Sequence, residues 1–208
     1  MTYQTQGIIL KKTDHNEADQ LFSIYTEKKG KILALGKGTK KIQSKLNSSL
    51  QHFAIIDLMI APGKNYDHIA GVNLIKNFSQ IKNDLKKIIL ASFSLELVEK
   101  LTKVGMPDSK IFILLIKYLS AINDNSFTPH PFRSNRETTQ LASYRKGAGF
   151  TQEEWRTIKQ AFTVELLALL GFGPTADVIS DPKKLGNFLK QHLDFELQTE
   201  KFLTKISS

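Results

Sequence analysis

The sequence predicts an α+β chain in which a small barrel of five short strands precedes an all-helical part. Before Phe78, short runs of β-forming residues alternate with turn residues; beyond it, apolar side chains recur at helical spacing. Glycine, proline and capping residues punctuate both parts and divide the chain into residues 1–78 and 79–208.

Strands are expected at Thr5–Lys12, Gln20–Thr26, Lys31–Leu35, Gln51–Ile60 and His68–Lys76. Turn signals separate them at Asp14-His15-Asn16, Lys29-Gly30, Gly36-Lys37-Gly38 and Pro62-Gly63-Lys64-Asn65. Ser44–Leu50 reads as a single helical turn between the third and fourth strands. Five strands in under about 80 residues, with a helix interposed, match a partly open five-stranded OB-fold barrel. The strands alone also permit an SH3-like barrel.

In the second part, Ser79 is expected to cap a helix with Ile81, Leu85, Ile88, Ile89, Leu95 and Leu97 on its apolar face, stopped by Gly105 and Pro107. Asp108 caps the next, from Ser109 to about Ile122. Thr151 and Glu154 form a capping-box pattern ahead of Trp155–Leu170, which Gly171 ends. Asp181-Pro182 opens a last helix through Phe188, Leu189, His192 and Leu193, with helix continuing toward Phe202 and Leu203. Residues 123–150, with Arg133, Arg136, Arg145 and Lys146, read as a long basic loop that is expected to be flexible. The apolar faces, Phe112, Leu115 and Leu119 on one helix and Leu166, Leu167, Leu169, Leu170 and Phe172 on another, are expected to pack on each other.

The chain carries 29 Lys+Arg against 20 Asp+Glu in 208 residues, a net charge of +9 that favours polyanionic partners. It contains no cysteine, which removes disulfides, thiolate catalysis and Cys-based zinc sites and suits a reducing compartment. No run approaches the roughly 20 apolar residues of a membrane span, and the N-terminal twenty residues lack a signal-peptide pattern. A cytoplasmic chain without membrane contact is expected.

The charge is concentrated. Lys28, Lys29, Lys31, Lys37, Lys40, Lys41 and Lys45 follow one another without an intervening acid, around the strand Ile32–Leu35 and the turn Gly36-Lys37-Gly38. A strand running into a glycine-containing loop dense in ammonium groups suits phosphate binding; the bland alternative is a solvated loop. Phe22, Tyr25, Phe53 and Tyr66 lie nearby in sequence; the two phenylalanines read as core and the two tyrosines as candidate stacking platforms for bases. The spacing around Gly36-Lys37-Gly38-Thr39 does not make a P-loop, since five residues separate Gly30 from Gly36 and a glycine follows the lysine. Asp14, Glu17 and Asp19 could hold Mg²⁺, although a solvated turn is the stronger reading. His15, His52, His68, His130 and His192 show no metal-ligand spacing, and no Gly-x-Ser-x-Gly elbow is present. No catalytic residue, metal or cofactor is expected.

The chain resembles the RecO family of bacterial recombination mediators. The likeness lies in Gly7-Ile8-Ile9-Leu10, Asn16-Glu17-Ala18-Asp19, Thr26-Glu27 through Gly30-Lys31, Ala34-Leu35-Gly36-Lys37-Gly38, Ser44 and Leu50-Gln51-His52-Phe53. A shorter match runs from Phe162 to Pro174, and Phe188 to Phe202 is similar to the closing helices. The resemblance implies an N-terminal OB domain with a helical domain, non-specific binding of single- and double-stranded DNA, and strand annealing without bond-breaking chemistry. It also implies partnership with RecR and with the C-terminal tail of single-strand-binding protein (SSB), and help in RecA loading. Three departures stand out. The four-cysteine zinc module of many members is missing, with Thr175–Asp181 a short connection in its place. Residues 123–150 are longer than the usual connection, and Gln198-Thr199-Glu200 replaces a basic pattern near the C-terminus. Proline usually stands where this chain has His52.

The sequence thus points to a monomeric, nucleoid-associated DNA-binding mediator in which Lys37, Lys40, Lys41 and Lys45 contact phosphates and Lys28, Lys29 and Lys31 widen the positive surface. Competing readings are an OB-fold RNA- or ribosome-associated factor, a metal-dependent nuclease using Asp14, Glu17 and Asp19, and an adaptor whose helical groove takes protein tails.

Overall fold

The structure, a computed structural model, describes residues 1–41, 44–126, 150–192 and 197–199. Most of the expected 123–150 loop, with its four basic residues, lies outside the described residues, as does the chain beyond Thr199.

Five strands, β1 (Tyr3–Asp14), β2 (Gln20–Thr26), β3 (Gly30–Gly36), β4 (Ala54–Ala61) and β5 (Asp67–Asn77), close a barrel in the order β1-β2-β3-β5-β4. β1 closes the ring against β4, from Tyr3 opposite Ile60 to Gly7 opposite Ile56. β3 and β5 run parallel over Ala34–Leu35 and Asp67–His68; the other neighbours are antiparallel. The short helix α1 (Lys45–Ser49) lies between β3 and β4. This is the topology of the expected OB-type barrel, closed rather than partly open.

Strand alternation explains how the barrel carries two cores. Ile9 points inward with Phe22, Ile24, Ile32, Ala34, Leu50, Ile56, Leu58, Ile60 and Ile69. Its neighbours Ile8 and Leu10 point outward, yet are buried with Tyr25, Phe53 and Ile55 beneath the helices. One wall of the barrel is therefore continuous with the core of the helical part. Phe22 and Phe53 are core residues, as expected.

A 3-10 helix (Ser79–Asn83) leads into α2 (Leu85–Leu101), followed by α3 (Ser109–Asp124), α4 (Gln152–Leu169), α5 (Ala176–Ser180) and α6 (Pro182–His192). Asp84, not Ser79, caps α2: its carboxylate accepts from the Lys86 N–H, while Ser79 opens the 3-10 turn. Asp108 caps α3, and Thr151 with Glu154 completes a capping box on α4. The apolar faces of α2, α3 and α4 are buried together through Leu97, Phe112, Leu115, Leu119, Phe162, Leu166 and Leu167. The connection expected over Thr175–Asp181 instead holds α5, a single turn that the run Ala-Asp-Val-Ile was too short to signal.

Candidate nucleic-acid interface

The loop joining β3 to α1 is built by its own hydrogen bonds. Gly38 takes a left-handed conformation (φ 65°), and the Lys41 N–H reaches back to the Gly38 carbonyl at 3.1 Å. The buried Thr39 hydroxyl donates to the Gly36 carbonyl at 3.1 Å. The β1–β2 loop then fastens it from outside. The Asp19 carboxylate accepts the Gly38 N–H at 2.7 Å, and the Ala18 carbonyl accepts the Lys40 N–H at 3.0 Å. Lys37 and Lys41 are left exposed on this frame. Lys40 folds back, its ammonium 3.0 Å from the Asp14 carboxylate and 3.4 Å from the Asn16 carbonyl. Lys45 is the first residue of α1.

The acids around the loop are thus structural partners. The Lys40 ammonium, ahead of a hydrogen bond from Gln20, holds the Asp14 carboxyl below the usual carboxylate range. The Gly38 N–H, ahead of the Asn16 side chain, does the same for Asp19. No cluster of three metal-ligating side chains occurs among the described residues. The arrangement of Asp14 and Asp19 is that of a loop clamp.

The remaining lysines lie elsewhere. Lys28 and Lys29 sit in the β2–β3 turn, at the other end of the hairpin from Lys37; seven residues of strand put the two ends on the order of 20 Å apart. Lys31, expected to widen the positive surface, is buried at 8% exposure. Its ammonium donates to the Glu99 carbonyl at 2.6 Å, because the end of α2 packs across the start of β3. The seven lysines therefore do not form one patch. Lys37, Lys40 and Lys41 share one end of the barrel, Lys28 and Lys29 the other, and Lys31 serves the junction with the helices.

The aromatics also divide. Tyr25 is fully buried, its hydroxyl donating to the Asp108 carbonyl at 3.1 Å, and so offers no platform to a base. Tyr66 is half-buried and meets His15 edge-on, with ring centroids 5.8 Å apart. Tyr66, Tyr3, Lys28, Lys29, Asp67, Val104 and Pro107 line a cleft of about 520 Å³ beside the β2–β3 turn. Sequence reasoning missed it because four segments far apart in the chain form it. The Tyr3 hydroxyl donates to the Asp67 carboxylate at 3.0 Å; burial first, and then this carboxylate, push the phenol well above its ordinary range.

Among the described residues, no helix is long and apolar enough to cross a membrane. A closed five-stranded OB-type barrel with a clamped cationic loop, backed by helices on one wall, places the chain among barrel-headed proteins of the OB-fold class.

Residues 1–78 match the family described as Recombination protein O N terminal. Through this barrel and the curated relatives that it matches, the chain is similar to the RecO family. It is 29% identical over 194 residues to the DNA repair protein RecO of Clostridium kluyveri, covering 93% of this chain and 65% of that protein. It is 26% identical over 174 residues to the DNA repair protein RecO of Caldanaerobacter subterraneus subsp. tengcongensis, covering 84% and 60%. With that of Alkaliphilus metalliredigens it shares 30% identity over 115 residues, covering 55% and 47%. The chain thus spans about half to two thirds of the length of these curated relatives.

Proposed function

We propose that this chain is a DNA-binding mediator of recombinational repair that holds strands by their phosphates and brings complementary strands together. The observation that carries the reading is the β3–α1 loop. Asp19 and Ala18 fix its backbone, so Lys37 and Lys41 stand outward, with Lys40 and Lys45 on the same stretch. Point charges on a fixed loop attract any phosphate backbone and read no base. Two strands held on one positive surface repel each other less and meet at higher local concentration, which is what annealing requires. No bond needs to be made or broken, and no cofactor is invoked. Lys28 and Lys29 offer a separate positive edge at the far end of the barrel.

The names of the relatives, all DNA repair proteins, support DNA over RNA as the polyanion. RecR and the SSB tail as partners, assistance to RecA loading, a monomeric state and a place at the nucleoid in the cytoplasm belong to the same reading. The test mixes complementary single strands coated with SSB, adds the chain, and follows duplex formation across a salt series. Annealing that falls steeply with salt, and falls again when Lys37 and Lys41 become alanine, is expected. A flat salt response, or a preference for structured RNA over single-stranded DNA, would overturn it.

A further inference from the structure

Three segments far apart in sequence bring basic nitrogens to one place beside the lysine loop. Lys12, near the end of β1, donates from its ammonium to the Leu50 carbonyl at 2.5 Å. Lys82, in the 3-10 helix, donates to the Gln51 side-chain carbonyl at 2.6 Å. His52 is the next residue of the segment that both lysines grip. The Lys12 stem is half-buried, its ammonium 5.9 Å from the centre of the Phe22 ring, while Lys82 is exposed. Among the described residues, no ion pair joins Lys12, His52 or Lys82 to a carboxylate.

Cations gathered without an acid disfavour one another. Burial, and then the charge of Lys82, lowers the proton affinity of Lys12. Burial, followed by the charges of Lys12 and Lys82, pushes His52 down to about 4. Leu50 to Phe53 carries no other ionisable side chain, so Lys12 from β1 and Lys82 from the 3-10 helix are the charges acting on the ring. A mobile anion relieves this repulsion. Each ammonium has three donors and spends one of them on the hydrogen bond described.

The place is continuous with the lysine loop. Lys12 and Asp14 are two residues apart on β1, opposite Phe22 and Gln20, and so project to the same face about 7 Å apart. Asp14 is the residue that holds Lys40. Lys40, Asp14 and Lys12 thus follow one another from the loop to the segment that Lys82 also holds.

We propose that Lys12, His52 and Lys82 form a second phosphate-binding point, which takes one phosphodiester of the strand held by the β3–α1 loop. The proposal rests on the nucleic-acid reading above and adds to it a defined path and a proton. With the phosphate seated between the two ammonium groups, the field at His52 reverses, and the ring takes up a proton and becomes a third donor. Binding then tightens as pH falls through the midpoint of the bound ring and on toward about 4, the midpoint of the free one.

The test uses the full chain and a fluorescent oligothymidylate, which excludes base pairing. Lys82→Gln removes an exposed charge, and a thermal melt confirms its fold. The slope of log affinity against log salt should become shallower by about 0.7, one phosphate on a single strand, and Lys82→Arg should restore it. Independently, ring resonances of His52 should show its titration midpoint rising from about 4 in the free chain toward the ordinary histidine range when oligothymidylate saturates it. An unchanged slope with an unmoved His52 midpoint, while Lys37→Ala still weakens binding, overturns this site and leaves the lysine loop standing. Absence of oligothymidylate binding by the unsubstituted chain overturns both. A His52 midpoint raised as far by inorganic phosphate alone overturns the assignment to a strand in favour of free phosphate.

Discussion

A Cβ placed on Gly30 would lie 2.2 Å from the carbonyl oxygen of Met106. Gly30 also stands at φ 65°, the left-handed region that side chains disfavour. The β2–β3 turn can therefore press against the α2–α3 connection only without a side chain there, and the Gly105 N–H seals the contact by donating to the Lys31 carbonyl at 2.9 Å. Gly30→Ala is expected to cost about 3 kcal/mol, by strain and by prising the barrel from the helices. Gly38 has the same φ, but a Cβ there meets only the Lys41 side chain at 3.8 Å, so Gly38→Ala should cost about 1 kcal/mol. Urea denaturation of the two variants measures the difference.

The barrel was legible because inward and outward residues alternate and turn residues mark its corners. Ile8 to Leu10 reads as one apolar run because helices cover the outer face too, and only the fold separates its two destinations. The fourth strand begins at Ala54 rather than Gln51, since Phe53 takes a left-handed φ of 56° that ends the preceding turn. The candidate site was half legible. A run of lysines identifies the loop, but no window of sequence shows that Lys31 faces α2, or that Asp14 and Asp19 serve as clamps. Lys12, His52 and Lys82 come from three elements, and only their folding against Leu50 and Gln51 brings them together.

Lys31 and Lys37 should separate stability from binding. Replacing Lys31 by alanine removes a buried donor from the Glu99 carbonyl and should lower stability by about 1–2 kcal/mol, with the salt dependence of DNA binding unchanged. Lys37→Ala and Lys41→Ala touch exposed side chains, so the melt should hardly move. Each should weaken single-strand binding across all sequences and make the salt slope shallower by about 0.7. Thermal melts and salt titrations of the three variants, run side by side, read both quantities. A salt slope lost in Lys31→Ala alone would contradict the assignment.

The clamp on the lysine loop should open in acid. Asp14 is held below the usual range chiefly by the Lys40 side chain, and Asp19 chiefly by the Gly38 N–H. A depressed carboxyl contributes stability that is fully present above its unfolded value of about 3.9 and is lost as pH falls through its lower folded value. The carboxyl carbon resonances of Asp14 and Asp19 should accordingly show midpoints below about 3.9, and the Gly38 amide shift should follow Asp19 through its titration. In Asp19→Ala the Gly38 amide should lose protection from exchange even at neutral pH, while the barrel core keeps its own.

Tyr25 should report the junction between barrel and helices from the alkaline side. Burial is the main cause that pushes its phenol up to about 12, and the hydroxyl spends its proton on the Asp108 carbonyl, the residue that caps α3. The folded chain keeps this proton where the unfolded chain releases it. Stability is therefore intact below the unfolded phenol value of about 10 and falls between there and about 12 as pH rises. Tyr25→Phe removes the hydrogen bond at a cost of about 1 kcal/mol, because the carbonyl loses its partner while the ring still fills its place. The variant should also lose this alkaline loss of stability. Urea midpoints of the two proteins across the alkaline range should therefore converge as pH rises, and curves that stay parallel would show that the Tyr25 proton is not linked to folding.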